Sequence, residues 1–421
     1  RLRIKIFHEN DTNINMYNLV IHVLQFGVFI ASFFNKKVAT MWKGECEALN
    51  LLREKVDPNA KYIWFHAASL GEFEQGRPLI ERIRQEHPEY KILLTFFSPS
   101  GYEVRKNYQG ADIICYLPID TRRNAITFLR TVKPVMAFFI KYEFWYNYLH
   151  ILKYRNIPTY SVSSIFRPDQ VFFKWYGFRY AKVLKCFTRF FVQNEVSREL
   201  LAKLGITDVD VVGDTRFDRV LQIRQVPKQL PIVEAFKQDK KVFVAGSSWQ
   251  PDEDIFIPYF NERKDWKLII APHVIGEDHL TQILSKLNRK AVRYTQTTPE
   301  EAAKADVLII DCFGLLSSIY HYGEIAYVGG GFGVGIHNVL EAAVWSVPVL
   351  FGPNNQRFQE AQGLKKSGGG FDFSSADEFK RQMDIFLSDD GEEIRRTGKA
   401  AGEYVESLAG ASQKIIDAVS F

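Results

Sequence analysis

Cysteine is scarce in this chain, and its spacing excludes two kinds of small-domain scaffold. The 421 residues contain four cysteines, Cys46, Cys115, Cys186 and Cys312. None of them belongs to a CxxC pair, which excludes a zinc ribbon and argues against a disulfide framework. Sparse and separated thiols are typical of a protein in a reducing compartment.

Low-complexity tracts and short fixed repeats are also missing. Hydrophobic residues make up 46% of the chain and charged residues 24%, which is an ordinary globular composition and not a disordered one. The mean hydropathy of −0.16 excludes a protein with many membrane spans. A chain of this length is expected to fold as two or three domains.

Charge is divided unevenly along the chain. Residues 1–220 contain 32 Lys and Arg against 22 Asp and Glu, whereas the remainder contains 22 against 27. The first half therefore favours an anionic partner, such as nucleic acid, an acidic lipid surface or a phosphorylated substrate. A drift of surface charge without function is the alternative, and charge alone does not choose between them.

One long apolar run stands near the N-terminus. Tyr17–Phe34 is mostly apolar and contains no charged residue. As a helix it would reach about 27 Å, enough for the core of a bilayer. Lys36 and Lys37 follow directly, which predicts that the C-terminal side faces the cytoplasm.

We therefore expect residues 16–36 to form a membrane-anchor helix, either spanning or lying in the interface. Asn18, His22 and Gln25 form one polar stripe of that helix, an arrangement that suits an interfacial position. A buried helix of a soluble core is the competing interpretation.

Apolar, β-rich runs alternate with helical patterns over the rest of the chain. The runs are Tyr62–His66, Ile92–Phe97, Ile113–Leu117, Val135–Ile140, Thr159–Val162, Phe190–Gln193, Val209–Gly213, Val242–Ala245, Leu268–Ala271, Val307–Ile310, Ile325–Gly329 and Val347–Phe351. Continuous apolar runs predict strands that are buried on both faces, and their alternation with helices predicts parallel sheets. A polar stretch with two prolines, 222–231, interrupts the series. The fold class we predict is α/β: two Rossmann-like domains, 37–222 and 223–400, facing each other across a cleft, with a C-terminal helix at 401–421.

The first candidate catalytic segment is His66–Glu72 (HAASLGE), which ends the first apolar run and opens a helical pattern. Glu72 near a helix N-terminus is suited to act as a general base. The helix dipole would hold its pKa down, so a raised pKa requires burial. A carboxylate that only caps the helix is the alternative.

Two further segments combine a charged residue with a strand end. Glu143 lies among aromatic residues in KYEFWYN, where it is suited to bind sugar hydroxyls or orient a base. Arg216 in GDTRFD is suited to bind a carboxylate or a phosphate. The alternatives are an exposed acid over an aromatic core and a salt bridge between Arg216 and a neighbouring aspartate.

The segment Gly329–Glu341 (GGGFGVGIHNVLE) carries the sharpest local signal of the second half. Its glycines allow backbone N–H groups to approach a phosphate, and the N-terminus of a helix that begins near His337 would favour the phosphate charge. No GK[ST] follows, so this is not a P-loop. Asn338 and Glu341 suit a nucleotide donor, with Glu341 on ribose hydroxyls, and His273 in Ala-Pro-His at another strand end is suited to line the same pocket. A tight turn with capping residues is the alternative.

Between Phe166 and Phe191 the sequence interleaves ten aromatic residues with six Lys and Arg and a single acid, Asp169. This pattern occurs in nucleic-acid-binding proteins and on surfaces that meet lipid headgroups. Given the apolar N-terminal run, we favour the membrane surface over nucleic acid. Core aromatics with solvated lysines are the third interpretation.

Four segments, taken together and in this order, form a specific pattern: HAASLGE, KYEFWYN, GDTRFD and GIHNVLE. The chain resembles the 3-deoxy-D-manno-octulosonic acid (Kdo) transferases of lipopolysaccharide assembly, inverting glycosyltransferases of the GT-B fold. The resemblance runs from about Met16, which looks like the family's initiator, to the C-terminus. Residues 1–15 precede that usual start.

The resemblance implies roles for individual residues. It assigns the general base to Glu72 and stabilisation of the transition state to Glu143 and Arg216, although the family has Lys where Arg216 stands. It implies nucleotide contacts at Pro272, His273, Phe313, Gly314, Leu315, Asn338, Val339, Leu340 and Glu341. The family often has Arg at the position of His273 and Glu at that of Leu315.

The resemblance also implies the partners: cytidine-monophosphate-activated Kdo (CMP-Kdo) as donor, a lipid A precursor (lipid IVA) as acceptor, and the cytoplasmic face of the inner membrane, without nucleic acid. It implies no cofactor and no metal. Glu72 would deprotonate a glucosamine hydroxyl, whose oxygen attacks the anomeric carbon with inversion as cytidine monophosphate leaves. The alternative is another GT-B-like transferase or an epimerase that uses a uridine nucleotide.

Overall fold

The computed structural model describes residues 12–178, 180–388 and 390–421, and for residues 12–15 the backbone alone. The segment expected to precede Met16 therefore lies largely outside the described residues. Within them, the chain divides into two compact units. The first unit extends to Arg219 and includes Gly410–Phe421, and the second unit is Val220–Ala409.

Each unit contains one seven-stranded sheet in which the recorded pairings are parallel, as the apolar runs predict. The first sheet consists of β1 (Lys61–Ala67), β2 (Tyr90–Phe96), β3 (Ile113–Tyr116), β4 (Met136–Ile140), β5 (Thr159–Ser164), β6 (Arg189–Val192) and β7 (Val209–Val211). The second consists of β8 (Lys241–Ser248), β9 (Trp266–Pro272), β10 (Ala291–Arg293), β11 (Val307–Ile309), β12 (Ile325–Val328), β13 (Val349–Phe351) and β14 (Gly370–Asp372).

Helices connect the strands in both units. Those in or entering from the first unit are α1 (Thr12–Ser32), α2 (Lys36–Lys55), α3 (Leu70–Glu86), α4 (Pro99–Arg105), α5 (Arg122–Val132), α6 (Tyr146–Tyr154), α7 (Glu195–Lys203) and α8 (Thr215–Gln225). Those of the second unit are α9 (Pro231–Lys237), α10 (Gln250–Glu262), α11 (Glu277–Lys286), α12 (Pro299–Ala303), α13 (Leu316–Ile319), α14 (Leu340–Ala343), α15 (Gln359–Ser367), α16 (Ala376–Leu387) and α17 (Glu392–Ser407). The last helix, α18 (Ala411–Ala418), is again part of the first unit.

The strand order determines where each sheet can bind a ligand. The first sheet has the order β3-β2-β1-β4-β5-β6-β7, and the second has β10-β11-β9-β8-β12-β13-β14. The order therefore reverses beside β1 in one sheet and beside β8 in the other. In open parallel sheets ligands bind at the carboxyl ends of the strands around such a reversal.

The strands of the first sheet are buried on both faces, because successive side chains point into two different hydrophobic clusters. Trp64 and Phe139 belong to one cluster, whereas Phe65 and Phe138 belong to the other. Phe65 and Phe138 stack across neighbouring strands with ring centroids 4.7 Å apart. This double burial explains why β1 and β4 read as continuous apolar runs.

The C-terminal helix α18 belongs to the first unit. Ile415 and Ile416 are buried in the same cluster as Ile80 of α3. The carboxylate of Asp218 accepts hydrogen bonds from the backbone N–H groups of Gly410, at 2.5 Å, and Ser412, at 2.7 Å. The end of the chain is thereby fastened to the unit in which it began.

Helix α1 begins at Thr12, the first residue that the structure describes. Tyr17 donates a hydrogen bond to Asp120 at 2.7 Å, Asn18 accepts one from Asn147 at 3.0 Å, and Ile21 is buried. A large apolar part of its surface is exposed; its members are Met16, Leu19, Val20, Val23, Leu24, Phe26, Phe29 and Ile30. The spanning form of the expected anchor is not found: over the described part of the chain, no helix is both long enough and apolar enough to cross a membrane.

The aromatic segment that follows β5 divides between core and surface. Phe166 and Phe172 are buried with the first hydrophobic cluster. Trp175, Tyr176 and Phe178 are exposed, Trp175 to 87% of its surface. The core interpretation therefore accounts for part of the segment and leaves three large rings at the surface.

Candidate active site

The turn between β1 and α3 holds Glu72 at the N-terminus of a helix, as the sequence predicts. Ser69 is the N-cap of α3, and its hydroxyl accepts the N–H of Glu72. The Glu72 carboxylate accepts the backbone N–H of Ala68 at 2.6 Å. Glu72 therefore does take part in capping.

Capping does not account for the electrostatic environment of Glu72. Burial first, and then the nearby negative charge of Glu143, raise the pKa of the Glu72 carboxyl above its ordinary value. The Ala68 N–H and the charges of His66 and Lys141 oppose that rise without cancelling it. A carboxyl with a raised pKa is better matched to proton transfer near neutral pH than an ordinary glutamate.

Glu143 lies in the turn between β4 and α6, and its side chain is only 12% exposed. Its Oε2 accepts a hydrogen bond from the indole N–H of Trp145 at 2.6 Å and lies 3.1 Å from Nε2 of His66. The interpretation as an exposed acid is therefore wrong for Glu143. The carboxylate is held by two ring nitrogens beside Glu72.

His66 is a functional candidate to which the sequence alone assigns no role. It ends the apolar run of β1, pairs in register with Thr95 and Phe139, and is completely buried. Its Nδ1 lies 2.9 Å from the hydroxyl and 3.2 Å from the carbonyl oxygen of Thr95. The ring therefore presents Nδ1 to Thr95 and Nε2 to the Glu143 carboxylate, to which it donates when Nε2 carries the proton. The available signal was a histidine at the end of an otherwise apolar strand.

Arg216 is the second residue of α8 and is held by its neighbour Asp214. Its Nε donates to Oδ2 of Asp214 at 2.8 Å, and its Nη2 lies 2.7 Å from the same oxygen. The predicted salt bridge to a neighbouring aspartate is thus present. The adjacent Thr215 donates to the carbonyl oxygen of Gln75 at 2.6 Å, so the start of α8 packs against α3.

In the second unit, one buried carboxylate organises the glycine-rich turn. Asp252 accepts the N–H of Trp249 at 2.8 Å, the N–H of Gly330 at 3.1 Å and the hydroxyl of Tyr327 at 2.5 Å. Gly330 has φ +94°, a left-handed conformation that favours glycine. The turn after β12 is thereby fixed against the start of α10.

Three rings stack at the carboxyl ends of β8 and β9 and in the glycine-rich turn. The ring centroid of His273 lies 4.7 Å from that of Trp249 and 4.3 Å from that of His337. The indole N–H of Trp249 donates to Nε2 of His337 at 3.2 Å. Burial and the adjacent His273 lower the pKa of His337 to about 4, so its imidazole is neutral at neutral pH.

The helix expected to begin near His337 is shorter than the sequence suggests. It is α14, which begins at Leu340 and has four residues. The Asn338 side chain accepts the N–H of Leu340 at 3.2 Å and donates to Glu341 at 3.1 Å. This local side-chain bonding competes with helix formation and delays its start. Asn338 and Glu341 are therefore in contact, but no long helix supports them.

The other expected nucleotide contacts also follow strands of the second sheet. Pro272 ends β9, and the loop Phe313–Leu315 follows β11. Phe313 is 76% exposed, and Gly314 has φ +83°. Lys228 donates to the carbonyl oxygen of Gly314 at 2.8 Å. These residues line the same edge of the sheet as the stacked histidines.

Metal ligands were not expected from the sequence. Within the described ranges, no group of three or more His, Cys, Asp or Glu side chains is arranged to hold a metal ion. All four cysteines are free thiols.

The sequence is similar to those of 3-deoxy-D-manno-octulosonic acid transferases. A model described as 3-deoxy-D-manno-octulosonic-acid transferase (kdotransferase) matches residues 44–219. The 3-deoxy-D-manno-octulosonic acid transferase of Aquifex aeolicus is 28% identical over 336 residues, covering 77% of this chain and 86% of its own. That of Haemophilus influenzae is 26% identical over 379 residues, covering 86% and 87%.

Some solved structures with the same fold are those of other proteins. The UDP-GlcNAc 2-epimerase of Neisseria meningitidis aligns with a TM-score of 0.61 and 16% identity, over 85% of this chain and 98% of that one. MurG of Acinetobacter baumannii aligns with a TM-score of 0.51 and 11% identity, over 85% and 99%. At such identities these likenesses establish the fold alone.

Proposed function

We propose that the chain is a 3-deoxy-D-manno-octulosonic acid transferase that transfers Kdo from CMP-Kdo to a lipid A precursor with inversion, in lipopolysaccharide biosynthesis. Its similarity to such transferases supports this proposal. It is a glycosyltransferase. The observation that carries the mechanism is the partly buried Glu72 beside Glu143, at the start of a helix and with a raised pKa.

In the proposed reaction Glu72 is the general base. It accepts the proton of a glucosamine hydroxyl, and the oxygen attacks the anomeric carbon of Kdo. The bond from that carbon to the phosphate oxygen breaks, and cytidine monophosphate leaves with the electron pair. A base whose pKa is raised toward neutrality holds the abstracted proton better than an ordinary carboxylate.

Glu143 and Arg216 are proposed to stabilise the transition state. Glu143 is fixed by Trp145 and His66, so its charge does not need to reorganise as positive charge develops on the sugar ring. Arg216 carries the positive charge that the family supplies with Lys. Its pairing with Asp214 fixes the guanidinium, and the bidentate geometry of Arg suits a carboxylate such as that of Kdo.

The second unit is proposed to hold the donor nucleotide. The contacts transferred from the family are Pro272, His273, Phe313, Gly314, Leu315, Asn338, Val339, Leu340 and Glu341. Glu341 is suited to the ribose hydroxyls, and we propose that the phosphate lies against the glycine-rich turn, where the absence of side chains allows close approach to the backbone. We propose that these groups stabilise the leaving phosphate without a metal ion or another cofactor.

The exposed apolar surface of α1 supports a proposal about location. An amphipathic helix binds in the membrane interface with its apolar face toward the acyl chains. Leu19, Val23 and Phe26 are each exposed to more than 60% of their surface, an unusual exposure for large apolar side chains. We propose that α1 lies in the cytoplasmic face of the inner membrane, with Trp175 and Tyr176 as further interfacial contacts.

The test is the reaction itself. The purified chain in detergent receives a lipid A precursor and CMP-Kdo formed in place from Kdo and cytidine triphosphate by the activating synthetase. Mass spectrometry of the lipid is expected to show a gain of one or more Kdo units. No gain alongside an active control enzyme would contradict the proposal, and stabilisation by uridine but not cytidine nucleotides would favour the alternative class.

A further inference from the structure

A groove in the first unit lies outside the candidate active site. It has a volume of about 610 Å³ and is formed between α1 and the beginning of α5. Its lining includes Asn18, His22, Arg122, Arg123, Thr127 and Arg130. None of these residues belongs to the catalytic or nucleotide-binding set described above.

The lining gives this groove a strongly positive character. It contains three guanidinium groups, all on exposed residues, and no carboxylate among the lining residues that the structure describes. Asp120 lies immediately before the segment, but it is buried. Its carboxylate accepts hydrogen bonds from Tyr17 and from the backbone N–H groups of Asn147 and Tyr148. The neighbouring acid is therefore engaged in the core and does not neutralise the arginines from within the groove.

The same helix joins this groove to the exposed apolar surface. Asn18 and His22 lie one turn apart and contribute the polar wall of the groove. Leu19 and Val23, one position further along in each case, are exposed apolar residues. If α1 lies at a bilayer surface, its polar wall and the arginines of α5 meet the layer of lipid headgroups, where phosphate groups are found.

We propose that this groove binds the phosphate group of a lipid headgroup. Guanidinium groups recognise phosphate oxygens through paired hydrogen bonds, and Asn18, His22 and Thr127 provide further polar contacts. The inference deepens the proposed function and rests on it in one respect: the acceptor is taken to be a phosphate-bearing lipid. The groove holds that lipid by its phosphate and contributes to binding, not to the chemical step.

The test compares vesicle binding of the full-length chain with that of a groove variant. The variant is Arg123→Gln with Arg130→Gln. The vesicles are phosphatidylcholine alone or phosphatidylcholine containing phosphatidic acid, and binding is measured by cosedimentation. Wild type is expected to prefer vesicles that contain phosphatidic acid. The groove variant is expected to bind those vesicles about tenfold more weakly, with binding to phosphatidylcholine unchanged.

A matched control removes the same charge elsewhere in the first unit. Arg53→Gln with Arg198→Gln alters two exposed arginines outside the groove. This pair is expected to keep the preference for phosphatidic acid. Equal losses in both variants would overturn the proposal, because they would indicate a general attraction of positive charge to the vesicle. Thr127→Glu gives a second groove variant that introduces a carboxylate at a partly exposed helix position and should abolish the preference.

One further outcome distinguishes a lipid phosphate from a soluble phosphate. Two others distinguish failure of the groove proposal from failure of the proposed function. Displacement from phosphatidic acid vesicles by millimolar inorganic phosphate, but not by equal ionic strength of chloride, would overturn the lipid assignment in favour of a soluble phosphate. If Kdo transfer fails but the groove-dependent preference persists, the proposed function fails and the groove remains. If transfer proceeds and the groove variants bind as wild type does, the groove proposal alone fails.

Discussion

At the residue scale, the substitution Glu72→Gln distinguishes a catalytic base from a carboxylate that only caps the helix. In Glu72→Gln the amide oxygen can still accept the N–H of Ala68, so the turn should form. Loss of the base is expected to lower the rate of transfer by about 10²- to 10⁴-fold. The rate of wild type should fall as pH drops through the raised pKa of Glu72, because the base must be deprotonated.

Although Glu72→Gln lowers the rate of transfer, it should not lower the stability of the protein at neutral pH. Since burial raises the pKa of Glu72 in the folded state, wild type loses stability as pH rises from the unfolded to the folded pKa. Glu72→Gln removes that loss and should be at least as resistant to chemical unfolding at neutral pH, an advantage that disappears in acid. Glu86→Gln on the same helix, where Glu86 pairs with Arg82 at the surface, is the control. A destabilised Glu72→Gln would indicate that capping is the main role.

His66 leads to a second prediction, because it acts on the reaction through Glu143. His66→Leu removes the contact between Nε2 and the Glu143 carboxylate but leaves the Trp145 hydrogen bond. A hydrogen bond to a charged group contributes about 1.5–3 kcal/mol, so kcat is expected to fall about 10- to 100-fold.

His66→Gln provides the comparison for that loss. Its side-chain amide retains a donor toward Glu143, and it should restore much of kcat. The KM values for both substrates should change little in either variant. A loss confined to thermal stability, with kcat unchanged, would make His66 a core residue without a positioning role.

At the scale of elements, Asp252 tests whether the glycine-rich turn depends on α10. Asp252→Asn leaves one acceptor oxygen where the carboxylate now accepts from Trp249, Gly330 and Tyr327. We expect a destabilisation of about 1–3 kcal/mol and weaker binding of cytidine monophosphate, measured by thermal unfolding and by calorimetry. Asp254→Asn, also on α10, removes the charge of a half-exposed carboxylate that pairs with Lys286 of α11, and it should change unfolding by less than about 1 kcal/mol. Equal effects of the two substitutions would contradict this role.

The sequence predicts the elements well where burial is continuous and poorly where it is not. The apolar runs coincide with the buried strands of both sheets. Two edge strands, β10 and β14, escape notice because Ala291–Arg293 and Gly370–Asp372 have three residues each and no apolar run. Helix α14 is overestimated because the side chain of Asn338 bonds the backbone at its start and Ser346 adopts φ +58° just beyond its end.

The candidate site shows the same limit. The sequence predicts that Glu72, Glu143 and the glycine-rich turn each follow a strand, and the structure places them after β1, β4 and β12. The contact between His66 and Glu143 joins residues 77 positions apart, and the stacking of His273 on Trp249 and His337 likewise depends on tertiary packing. Spacing along the chain carries no information about such contacts.

For the whole molecule, the return of α18 to the first unit predicts which unit depends on it. Ile415 is fully buried in the cluster that contains Ile80 and Ile83 of α3. Ile415→Ala creates a cavity there and should lower the free energy of unfolding by about 2–5 kcal/mol. Hydrogen exchange followed by mass spectrometry should show faster exchange in β1 and β2, whereas β8 and β9 of the second unit keep their protection.

The control for this prediction is Ile385→Ala on α16, an isoleucine that is 50% exposed in the second unit. It should change stability by less than about 0.5 kcal/mol, because little apolar surface is lost from the core. Equal acceleration of exchange in both sheets by Ile415→Ala would mean that the units unfold together. Acceleration confined to the second sheet would contradict the assignment of α18. The expected pattern, a loss limited to the unit in which the chain begins, would show that its last residues complete the fold of its first half.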